Sequence, residues 1–187
     1  SKALGWAIRT IAVIALAAVP SALAQAPKQI TFRGVMHDYT ALSPVAGPWE
    51  VRGPWSVTVN EKSGKADFSA ALTMERSDSG VIYSGGGDLN NPMDRMAHTH
   101  HITMTGKVTR TANGYQLLGQ ATITKDGAFP PPFGPVLPWV TVQITGGNSV
   151  PFSNISVLFG DPASGHFGTA PLHGVVRSWE YADAPRH

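Results

Sequence analysis

The chain contains no cysteine. That absence removes a disulfide framework, a thiolate metal site and a thiol nucleophile together. Charge is also sparse, with Asp, Glu, Lys and Arg at 14% of residues against 42% hydrophobic, a balance that suits a packed core and not a disordered chain. Beyond residue 24 no apolar pattern of helical period runs longer than two turns, which argues against helical folds. No G-x-S-x-G elbow is present. Gly85-Gly-Gly-Asp88 lacks the Lys-Ser/Thr that would complete a phosphate-binding loop and reads as a flexible loop. Acidic residues fall mostly on turns or outward strand positions, so no paired-carboxylate site is legible.

The first residues form a distinct segment. Lys2 and Arg9 precede the uncharged apolar run Thr10 to Val19, Pro20 breaks it, and Ser21-Ala-Leu-Ala24 places small residues before Gln25. This is the pattern of a secretory signal peptide, with an apolar stretch too short for a permanent membrane anchor. Residues 1–24 are therefore expected to be a signal peptide and residues 25–187 one domain, periplasmic or secreted. The 14 Lys and Arg exceed the 12 Asp and Glu only through Lys2 and Arg9. The remaining chain is balanced, so neither nucleic acid nor an anionic membrane surface is expected as a partner. Its length suits a single hydrophobic core.

What is present is period-two alternation. Phe68, Ala70, Leu72 and Met74 alternate with Asp67, Ser69, Ala71, Thr73 and Glu75, the signature of a half-buried strand. Strands also read at Gln29 to Val35, Trp49 to Val59, His98 to Val108, Tyr115 to Thr124, Trp139 to Thr145, Ile155 to Phe159 and Leu172 to Trp179. Gly53-Pro54 interrupts the second of these, which predicts a bulged edge strand or two short ones. Turn residues at Asn60 to Gly64, Ala112 to Gly114 and Gly146 to Asn148 join consecutive strands as hairpins. The expectation is an all-β fold: an antiparallel barrel of seven to eight strands in a calycin-like meander, with a two-sheet sandwich as the alternative. Two connections are longer than a hairpin needs, Ser77 to Met96 and the proline-dense Phe129 to Pro138.

Three of the seven histidines lie within four positions, at His98, His100 and His101. Residues two apart on a strand share a face. His98 and His100 therefore point together, on the side marked apolar by Ile102 and Met104, while His101 faces the other way with Thr103 and Thr105. Two convergent imidazoles are a start on a metal site, and imidazole without thiolate suits zinc, or else copper, which the methionines could supplement. A third ligand has to come from elsewhere. His173, on the last strand, is favoured over His166 in the Gly-rich turn Ser164-Gly-His-Phe-Gly168, with His37, Asp38, Asp88 and Asp94 as further candidates.

The H-x-H pair resembles the strand-borne metal ligands of cupins and α-carbonic anhydrases. The resemblance covers three residues: the cupin pattern continues to a Glu where this chain has Met104 and Thr105, and Asp161-Pro-Ala-Ser-Gly-His166 matches its second half only loosely.

These residues lead to an exported small β-barrel binding protein with a His-lined pocket at one end, taking a metal ion such as zinc or a small molecule. One alternative is a small secreted enzyme. It would be a zinc-dependent lyase or hydrolase, or a cofactor-free isomerase or cyclase with His100 as general base. A second is an interaction module acting through the proline-rich segment.

Overall fold

A computed structural model describes residues 29–40, 49–76, 98–126, 137–147 and 150–182. The segment expected to be a signal peptide, the connection at 77–96, most of the proline-rich segment, and Asp88 and Asp94 lie outside the described residues.

Eight strands follow one another: β1 (Gln29–Tyr39), β2 (Trp49–Asn60), β3 (Lys65–Arg76), β4 (His98–Thr111), β5 (Gly114–Lys125), β6 (Trp139–Thr145), β7 (Asn154–Phe159) and β8 (Leu172–Tyr181). A single helical turn, α1 (Ser164–Phe167), sits between β7 and β8. Each strand pairs antiparallel with the next, and β8 pairs antiparallel with β1, so the sheet closes into a barrel. The meander barrel expected from successive hairpins is the observed fold, and the sandwich is not. Among the described residues no helix is long and apolar enough to cross a membrane.

Alternation decides which residues fill the barrel. On β3, Ala66, Phe68, Ala70, Leu72 and Met74 are buried while Lys65, Asp67 and Ser69 are exposed. An eight-stranded barrel is just wide enough for such side chains to meet across it. At one end, Phe32, Tyr115, Phe152 and Trp179 form an aromatic plug, with Phe32 and Phe152 edge-to-face at 4.8 Å and Phe152 against Trp179 at 5.7 Å. The Tyr115 hydroxyl donates to the Glu61 carboxylate at 2.6 Å, which satisfies the one polar atom that this ring carries into the plug.

The expected break in the second strand is absent. β2 is continuous and keeps one register against β1 through Gly53↔Met36 and Pro54↔Val35. Against β3 the pairing stops at Arg52↔Thr73 and resumes at Trp55↔Ala70. Pro54 has no N–H to give, so the local loss of pairing falls on one side only. Gly53 is needed there because a Cβ would lie 1.9 Å from the Ala71 carbonyl oxygen. A real irregularity occurs elsewhere. Between β1 and β8 the register shifts after Arg33↔Ser178 to Gly34↔Val176, leaving Arg177 as an extra residue on β8.

The end opposite the aromatic plug is the one where β3 ends and β4 begins. Leu72 is directly across from His100 and Met74 from His98, all four inward and buried. Leu72 is fully buried, and its truncation removes packing both from the core and from beneath His100. We expect Leu72→Ala to cost about 2–5 kcal/mol in urea unfolding. The outward Ser69→Ala on the same strand should stay within about 0.5 kcal/mol of wild type.

Candidate metal centre

β4 carries His98, His100, Ile102 and Met104 inward and buried, with His101, Thr103 and Thr105 exposed between them. The pleat thus does what alternation predicts: it stacks two imidazoles on the inner face, with ring centroids 4.8 Å apart and nearly perpendicular. His101 stands outside against the Asp126 carboxylate at 2.8 Å.

The third imidazole comes from α1. Ala163 and Phe167 lie one helical turn apart and are both fully buried, so they press this face of the turn into the barrel mouth. Phe167 stacks on Phe159, the last residue of β7, at 4.1 Å and 17°. The Ala163 carbonyl accepts from the N–H groups of His166 and Phe167, both at 2.9 Å. His166, next to the anchoring Phe167, is thereby set over the β4 pair. Its Nε2 lies 2.9 Å from Nε2 of His100 and 3.3 Å from Nε2 of His98. Ligand nitrogens of His98, His100 and His166 all fall within 4.8 Å of one another.

The walls of the site are largely aromatic and apolar. Trp49 meets His98 edge-on at 5.7 Å and Phe167 meets His100 at 5.1 Å. Trp49 is itself held by Thr40, whose N–H donates to the Trp49 carbonyl at 2.8 Å and whose hydroxyl accepts the Trp49 N–H at 3.0 Å. His100 is 0% exposed and His98 7%.

Burial makes these imidazoles weak bases. Desolvation, followed by repulsion from His166 and His98, pushes His100 down to about 3, while a backbone hydrogen bond at Thr124 opposes the shift. Desolvation, then His98 and Lys125, lowers His166 to about 4. Both rings are therefore neutral at physiological pH, the state in which imidazole offers a lone pair to a metal.

The triad differs from the expected ligand set in one member. His173 is not part of it. It points outward, its Nδ1 2.9 Å from Asp38 and its backbone N–H donating to the same carboxylate oxygen at 2.8 Å. Leu172 takes the inward position before it, at 2% exposure. Burial works against the charged form of Asp38, but hydrogen bonds from the Tyr39 N–H and from His173 outweigh it and hold the carboxyl below its usual range. His37 likewise faces out, 2.9 Å from Glu50. The signal that could have selected His166 is the apolar pair Ala163 and Phe167 flanking it at a one-turn spacing.

No protein-family model, no curated protein and no solved structure matches this chain.

In the metal-free protein the depressed histidines make stability depend on pH. The unfolded chain takes up protons near 6.5, and the folded chain only near 4 and 3. Stability is therefore complete above about pH 6.5 and falls as pH drops toward 4, by about 1.4 kcal/mol per pH unit for each proton involved. Urea unfolding between pH 7 and 4 should show a shallower decline for His100→Leu than for wild type.

Proposed function

We propose that this chain is an exported β-barrel protein that binds one divalent transition-metal ion, zinc in the first instance, through His98, His100 and His166. The observation that carries this reading is the triad itself. Three imidazoles converge, His98 and His100 buried and His166 half-buried, two of their nitrogen pairs 2.9 and 3.3 Å apart. Zinc–nitrogen bonds of about 2.0–2.1 Å in tetrahedral geometry place neighbouring ligand nitrogens roughly 3.3 Å apart. Without an ion, protons on these nitrogens must serve lone pairs that a cation would take up together. Three protein ligands leave a fourth position, which suits water or an exogenous ligand.

Metal binding is favoured over metal-free general-base catalysis by the same histidines. A general base works best with a pKa near the operating pH, and His100 sits at about 3. An ion is favoured over an organic ligand because inward side chains such as Phe68, Leu72, Ile102, Leu117 and Phe159 fill the interior beneath the site. The leader-like residues 1–24 support export, and the absence of cysteine leaves imidazole as the strongest nitrogen or sulfur donor for such an ion.

Protein purified without a histidine tag should bind one zinc ion per chain in calorimetry. Loss of an outer-shell partner typically costs 10–100-fold in metal affinity, so loss of a ligand should cost more. His98→Ala, His100→Ala and His166→Ala should each weaken binding by more than about a hundredfold, and His173→Ala should leave it unchanged. Wild-type affinity in the His166 variant would remove the proposal. Saturation at a hundred times Kd should raise stability by about 2.7 kcal/mol.

A further inference from the structure

A groove lies on the outside of the barrel, away from the histidines. Gly106 on β4 and Gly119 on β5 stand side by side, between the pairs Met104↔Ala121 and Lys107↔Leu118. A Cβ on Gly106 would fall 2.6 Å from the Leu118 carbonyl oxygen, and one on Gly119 2.9 Å from Cα of Gly106. This close approach is open only to glycine. The outer surface here carries the groove, of about 790 Å³, lined by both glycines. That volume lies within the range of about 300–1,000 Å³ seen for small-molecule sites.

Its two ends differ in character. At one end Lys65 and Lys107 are direct cross-strand partners, both exposed. Among the described residues neither forms an ion pair. Like charges directly opposite on one sheet face are destabilising, and an anion between them would remove the penalty. Asp67, on the same face, is engaged by the Thr105 hydroxyl at 2.6 Å. Along the register the row continues Lys65↔Lys107↔Leu118. Beyond it stand Leu137 and Trp139, so that the other end exposes Leu118 at 48%, Leu137 at 45% and Trp139 at 56%. Gln120 donates to the Leu137 carbonyl and the Ala121 N–H to that of Pro138, which ties this apolar wall to β5.

We propose that the groove binds a single-chain amphiphile with an anionic head, of the long-chain carboxylate class. The carboxylate lies between Lys65 and Lys107, and the chain runs over Leu118 and the glycine floor toward Leu137 and Trp139. Two ammonium groups select the charge, and the exposed indole and leucines bury the tail. The site shares no residue with the histidine triad, so it stands or falls independently of metal binding.

Dodecanoate below its micelle concentration, titrated calorimetrically into the full chain, tests the proposal, with dodecanol as the uncharged comparison. Wild type should bind one dodecanoate, at least tenfold more tightly than dodecanol. Lys65→Gln with Lys107→Gln should abolish that preference while leaving dodecanol affinity unchanged, and Trp139→Ala should weaken both ligands. All three positions are exposed, so circular dichroism and zinc binding of the variants should match wild type. No binding, equal affinity for acid and alcohol in wild type, or dodecanoate affinity untouched by the lysine substitutions would overturn it; the last result would place the ligand elsewhere. Sedimentation showing a dimer that Trp139→Ala dissociates would also overturn it, assigning the patch to a second copy.

Discussion

Closure of the backbone ladder between β1 and β8 is the constraint on which the rest depends. A closed sheet has no edge, so every strand has one face toward the axis and one toward solvent. The pleat then assigns each residue to one of them by parity alone. His98 and His100 are inside for the same reason as Ile102 and Met104, and the barrel needs no special device to bring them there. Closure also explains why a proline can sit in the middle of β2: pairing lost toward β3 at Gly53-Pro54 is compensated by an unbroken register toward β1.

Register sets two like groups against each other at two places, with opposite consequences. Inside, imidazoles crowd against each other in a dry setting. Burial disfavours charge there, so His100 and His166 remain neutral, and their lone pairs are available to a cation. Outside, Lys65 and Lys107 face each other across β3 and β4 in water. There the two exposed side chains form the cationic end of the proposed groove. The same ladder that fixes a candidate cation site within the barrel fixes a candidate anion site on its surface.

Much of the fold was legible because strict alternation survives in most strands. The turns at Asn60 to Gly64 and Ala112 to Gly114 separate hairpins whose observed ends fall within a few residues of the expected ones. The third histidine was not legible, and the reason is local. Trp179 packs toward the aromatic plug, and counting back from it in steps of two puts His173 on the inner face. The extra residue at Arg177 shifts the pairing from Ser178 to Val176 and reverses that parity, so Leu172 points in and His173 out. A bulge of this kind leaves little trace in composition. His166 ranks behind His173 in the sequence because a four-residue helical turn has too few positions to display a period, and the flanking Ala163 and Phe167 are its one local sign of burial.

The amino-acid order by itself determined the class of fold, the approximate places of the strands, the chemistry excluded by the missing cysteine and the shared inward face of His98 and His100. These are short-range properties, carried by alternation and turn residues over a few positions. Tertiary structure alone decided that His166 completes the triad and that Lys65, Lys107 and Trp139 border one groove. Those neighbours are separated by tens of residues, and only the closed register, with its bulge and its close strand approach at Gly106 and Gly119, brings them within reach of one another.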